Sequence, residues 1–130
     1  MEEQLLKLIK YRLNEADEAV DSSTLLLENG HYRAAMNRAY YAMFYAVLAL
    51  LCSKGLSTRK HSGAITLFDR EFVKPGSFNK QMSEWLHRAF ELRNMGDYEA
   101  WAEVGPEDAQ LSAEQAAEFL RRVRTYFDEQ

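Results

Sequence analysis

Leu6, Ile9, Leu13, Ala16, Val20, Ser23 and Leu27 recur at steps of three and four, so one face of residues 2–28 is apolar at the helical period. Asn29-Gly30 ends that stretch. The next pattern, roughly 31–54, is apolar on most sides and stops at Gly55, which makes it the central helix of a bundle. A third, shorter helix is predicted over about 59–72, with Ile65, Leu67, Phe68 and Phe72 inward, before Lys74-Pro75-Gly76 breaks it. Asn79 can cap a fourth, whose stripe reads Met82, Trp85, Leu86, Ala89, Phe90 and then Arg93. Gly96 stands just past its end as a left-handed cap. Gly105-Pro106-Glu107-Asp108 places proline at the first position of a last helix and acids in its first turn. That helix runs to about 127, with Ala113, Ala116, Leu120, Val123 and Phe127 facing in. No stretch alternates with period two. The predicted class is all-α: a single up-and-down bundle of about five helices over residues 1–130.

Composition narrows the class without changing it. A chain of 130 residues supports one core, and 47% apolar with 28% charged residues is an ordinary globular balance. The single Cys52 excludes an intramolecular disulfide framework and a cysteine-rich zinc site, and reads as a small core hydrophobe. MEEQLLKLIK reads as the start of an amphipathic helix, not a secretory leader. The longest uncharged run, AYYAMFYAVLALLCS at 39–53, falls short of the roughly 20 residues that span a bilayer. We therefore expect a buried helix, no membrane association and a cytoplasmic protein.

Charge adds an asymmetry. Residues 31–93 carry ten Lys and Arg against four Asp and Glu, while both flanking stretches are acidic. A basic middle between acidic ends suits an anionic ligand, a dimer in which unlike faces meet, or simply solvated helix faces.

Arg93 is the sharpest chemical signal. Its spacing from Leu86 and Ala89 turns it toward the core, where an unpaired guanidinium is costly. Asp97, four residues on, is positioned to pair with it, and Tyr98 adds a hydroxyl beside that pair. One reading is a salt bridge that fastens the following loop; the other is a cation aimed at a phosphate. Helix two carries a second polar island: Arg33, Asn37 and Tyr41 recur at every fourth position, with Arg38 beside them. A buried Asn needs partners, and Arg93 can supply one, so the two islands suggest a shared cleft.

Other chemistry finds less support. Glu-x-x-His occurs as Glu28–His31 and Glu84–His87, but the first pair straddles Asn29-Gly30 and a di-metal bundle needs two helical pairs plus two further glutamates. There is no P-loop, G-x-G-x-x-G, H-E-x-x-H or triad signature. No metal or other cofactor is expected.

The segments HYRAAMNRAYYAMFYAVLALL, STRKHSGAITLFDREFVKPG and FELRNMGDYE together resemble a HEPN domain, of the small stand-alone bacterial and archaeal branch. The resemblance runs from about residue 5 to 127. It implies a four- or five-helix bundle, a homodimer, and a minimal nucleotidyltransferase as partner in a toxin–antitoxin-like pair. It also implies contact with nucleotide or RNA, since many HEPN domains are metal-independent RNases whose site is an Arg, four to six intervening residues and a His, assembled across the dimer. Arg93 matches the motif arginine, and Asn37 matches a supporting polar position on the preceding long helix. The histidine does not match: after four intervening residues beyond Arg93 the chain has Tyr98.

Cutting RNA without metal needs a base, an acid and a cation. Tyrosine, with a pKa near 10, is ionised in only about one molecule per thousand at neutral pH. Losing a matched base forfeits on the order of 10²–10⁴ in rate. His87 lies about 120° around the helix from Arg93. His31 lies in the turn after helix one, and His61, in KHSG, reaches Arg93 only if tertiary packing brings it there. The expectation is weak or absent nuclease activity. The candidate ligand-binding set is Arg93, Asp97, Asn37, Arg38, Tyr41 and His61. The resemblance further marks Tyr98 as a residue that a partner transferase modifies. The dimer, which the charge distribution also suits, is expected along helices two and four, with Tyr41, Tyr45, His87 and Arg88 as interface candidates.

Overall fold

The computed structural model describes residues 2–95 and 104–130. Its helices are α1 (Glu3–Glu28), α2 (Tyr32–Ser53), α3 (His61–Phe68), α4 (Lys80–Arg93) and α5 (Pro106–Asp128). No strand occurs among the described residues. α2 packs against all four other helices, as its near-uniform apolarity demands.

The turns follow from local chemistry. Gly30 takes φ 77°, which lets the His31 and Gly30 N–H groups reach back to the Leu26 and Leu27 carbonyls and close α1. Gly55, at φ 69°, ends α2 the same way through Leu56 and Leu51. Asn79 Oδ1 accepts from the Met82 N–H at 3.3 Å to start α4. Asp108 accepts from the Gly105 N–H at 3.1 Å and, with Pro106, starts α5.

Packing of α1 on α2 depends on small residues. Ala35, Ala39, Ala42, Ala46 and Ala49 on α2, and Ala16 and Ala19 on α1, are fully buried. The backbones come close enough for the buried Ser23 hydroxyl to donate to the Ala35 carbonyl at 2.7 Å. On the other side of α2, Phe68, Phe72, Phe78 and Phe119 form one aromatic core with Tyr126 at its edge.

Two expectations shift. Leu6, placed on the inward stripe, is 42% exposed; Ala19 takes a buried position that the stripe omitted. Leu67, placed inward, is half-buried and packs against the core. The third helix does not run as α-helix to 72: after Phe68 it widens into a π-helical turn, Asp69–Val73. That turn keeps Phe72 inward and aims Asp69 at α4, where its carboxylate accepts from Ser83 Oγ at 2.6 Å and meets His87 Nε2 at 2.6 Å. The predicted Gly96 cap lies outside the described residues.

Candidate functional site

Arg93 ends α4 beside the N-terminal half of α2. Its guanidinium donates to the Tyr41 hydroxyl at 3.0 Å and to Asn94 Oδ1 at 3.1 Å. It also lies over two rings, 5.6 Å from the Tyr40 centroid and 5.5 Å from the Tyr41 centroid. Arg38 covers the Tyr41 ring as well, at 5.4 Å. Arg93 is half-buried, so its carbon stem is packed while the cation keeps contact with solvent.

These groups surround one open cavity of about 640 Å³, lined by Asn37, Arg38, Tyr41, Arg93, Asn94 and Met95. The structure thus brings together four of the sequence candidates: Arg93, Asn37, Arg38 and Tyr41. Asp97 and Tyr98, the other members of the Arg93 island, lie outside the described residues. Arg33, one turn before Asn37, is exposed and is not part of the cavity lining.

His61 is brought to the same cluster from the start of α3. Its Nδ1 lies 2.7 Å from the Tyr40 hydroxyl. Its ring stacks on Phe44 at 4.1 Å, 1° from coplanar, and meets the Tyr41 ring edge-on at 5.8 Å. Burial pushes the Tyr40 phenol well above its ordinary value, with the nearby Arg93 cation pulling the other way and Tyr41 adding to the rise. The phenol therefore stays protonated and donates to Nδ1. Burial, and then the Arg93 cation, lower the His61 pKa from its ordinary 6.5. At neutral pH the ring is uncharged, and with Nδ1 accepting, its proton sits on Nε2. His61 is then a neutral donor held in place by a buried phenol, not a ready base.

Tyr40 is the residue that sequence reading missed. It was one of many apolar-looking positions in AYYAMFY, and nothing local distinguishes it from Phe44. Its partner lies 21 residues away, and only packing of α3 on α2 joins them. A buried tyrosine does need a hydrogen-bond partner, and that rule was the available signal.

The remaining candidates sit elsewhere. His87 is held by Asp69, while Arg88, next to it, pairs with Asp108 at the start of α5 at 3.6 Å. Neither lines the Arg93 cavity, and the two are drawn to opposite neighbours of α4. Tyr45 lies beside Tyr41, ring centroids 5.7 Å apart. Among the described residues no group of three or more His, Cys, Asp or Glu side chains could hold a metal ion. Cys52 is buried and its thiol pKa is raised by burial.

Comparison with known proteins agrees with this architecture. The model of the HEPN domain family matches residues 9–126. A UPF0332 protein of Thermotoga maritima is 42% identical over 95% of this chain and 93% of its own. A Methanocaldococcus jannaschii protein named "Putative toxin" is 30% identical over 97% of this chain and 86% of its own. A solved Thermus thermophilus structure superposes with a TM-score of 0.75 at 17% identity, covering 91% of this chain and 97% of that one. A solved archaeal HEPN homologue gives 0.62 at 17% identity, over 90% and 95% of the two chains.

Proposed function

Because this chain belongs to the HEPN domain family, we propose that it acts as the helical member of a toxin–antitoxin-like pair whose other member is a minimal nucleotidyltransferase. In this reading a homodimer of the chain binds the phosphate of a nucleotide or RNA at Arg93, in the cytoplasm. The observation that carries the reading is the convergence of Arg93, Arg38, Asn37 and Tyr41 on one solvent-open cavity. Two guanidiniums with an amide and a phenol offer directional donors to a phosphate, and Tyr41 fixes the orientation of Arg93 before any ligand arrives. That toxin names occur among its relatives supports the pairing. Tyr98, five residues beyond Arg93, is the acceptor we assign to the transferase; a nucleotidyl group there would place bulk and negative charge near the cation.

A pull-down from the native host, with intact-mass measurement of the recovered chain, tests this. The expected result is a recovered transferase and a mass increase that Tyr98→Phe abolishes. Recovery of no transferase, with an unmodified mass from cells in which the pair is expressed, would contradict it.

A metal-independent ribonuclease is the second reading, and one observation favours it: His61 is held against the same aromatic wall as Arg93. With its proton on Nε2, neutral His61 can donate a hydrogen bond to a phosphate or leaving oxygen but not transfer a proton, so the acid and the base both remain unfilled among the described residues. Slow cleavage in chelator, lost in His61→Ala and in Arg93→Ala, is the signature of this reading.

A further inference from the structure

A second cavity opens on the same face of α2, on the turns that follow the Arg93 site. It measures about 450 Å³ and is lined in part by Phe44, Leu48, His61, Leu8, Arg12 and Arg59. Ligand pockets commonly start at about 300 Å³. The two cavities share a wall: Tyr41 faces the first, while Phe44 and His61 face the second, and the Tyr41 ring touches both, at 6.3 Å and 5.8 Å.

We propose that this second cavity holds the nucleobase of a nucleotide whose phosphate lies on Arg93. The inference rests on the phosphate reading above and names what is attached to that phosphate.

The lining suits a base better than a second phosphate. Leu8 and Leu48 supply apolar surface, and the stacked Phe44–His61 pair supplies flat rings. The neutral His61 offers an Nε2–H to a carbonyl or ring nitrogen without the pull that a cation exerts on phosphate. Arg12 is already paired with Glu15 at 2.8 Å, and Arg59 stands on the exposed loop, so the positive edge is at the rim. Seven residues of α2 separate Tyr41 from Leu48, about 10 Å along the helix axis. One nucleotide spans that reach, from phosphate to base edge. Stacking on aromatic side chains is sequence-tolerant, so no particular base is implied.

Calorimetric titration of the intact protein tests the proposal with two ligand pairs. The first pair is AMP and ribose 5-phosphate. The second is a five-nucleotide single-stranded RNA and the same strand with one abasic site. Base capture predicts that the member carrying the base binds about tenfold more tightly. A tenfold gap in the first pair assigns the site to a free nucleotide; a gap in the second pair alone assigns it to an RNA strand. The gap should shrink below threefold in His61→Ala. It should shrink likewise in Leu8→Glu, which alters an exposed cavity residue and keeps the fold even where loss of the Tyr40 partner unsettles His61→Ala. Equal affinities within each pair, with binding lost in Arg93→Ala, would overturn the base site and leave the phosphate site standing. Absence of binding by all four ligands would remove both.

Discussion

Replacing Arg93 by methionine keeps most of its packed stem and removes the charge, so it separates structure from binding. Among the described residues the lost contacts are two side-chain hydrogen bonds and a cation over two rings, at a half-buried position. Urea unfolding should therefore register a loss of about 1 kcal/mol. A loss above about 3 kcal/mol would instead mean that Arg93 is a structural fastening. At His61 the prediction is one of pH. The folded chain holds this proton less tightly than the unfolded chain, so the unfolded state binds more protons below 6.5. The stability that His61 contributes is complete above pH 6.5 and is lost as pH falls below it. Melting curves at pH 7 and pH 5 should show a steeper fall for the native chain than for His61→Gln; equal falls would contradict the assignment. The inward turn of Arg93 was legible from helical spacing alone, because period fixes direction. The Tyr40–His61 bond was not, because it joins two elements whose approach no local pattern encodes.

Helix boundaries were legible wherever glycine, proline or a capping side chain marks them, as at Gly30, Gly55, Asn79 and Pro106. The π-helical turn was not, since a one-residue widening leaves Phe68 and Phe72 on the same face that an α-helix assigns them. Gly63, in KHSG, has a specific reason to lack a side chain. A Cβ there would stand 2.5 Å from Thr58 Oγ1, which itself accepts from the Lys60 N–H. Alanine is otherwise favoured in a helix by roughly 1 kcal/mol. Gly63→Ala alone should thus be neutral or destabilising by up to about 1 kcal/mol, because Thr58 must give up its position. In a Thr58→Ala background the same change should stabilise by about 0.5–1 kcal/mol. Additive effects in a double-mutant cycle would show that the two residues do not meet.

Across the whole molecule, part of the charge asymmetry is spent within the chain. Arg124 on α5 pairs with Asp17 on α1, and Arg88 on α4 pairs with Asp108. The basic groups around the Arg93 cavity, Arg38 and Arg93 itself, are engaged with rings and hydroxyls instead of carboxylates among the described residues. In the proposed function an anion takes up that charge. The proposed homodimer should appear in light scattering at twice the 15.1 kDa chain mass, and Tyr45→Asp should shift it toward the monomer. A native chain that scatters as a monomer at micromolar concentration would contradict the dimer. The all-α bundle was readable from apolar period and punctuation. The ligand side was readable only as far as one misplaced-looking cation, since a cavity is a property of several elements at once.

Fluorescence anisotropy of a labelled single-stranded RNA, titrated with the native protein, Arg93→Ala and Arg38→Ala, addresses the central claim most directly. The account predicts salt-sensitive binding that weakens at least tenfold in Arg93→Ala and severalfold in Arg38→Ala, with both variants fully folded. Native-level affinity in a folded Arg93→Ala would contradict it.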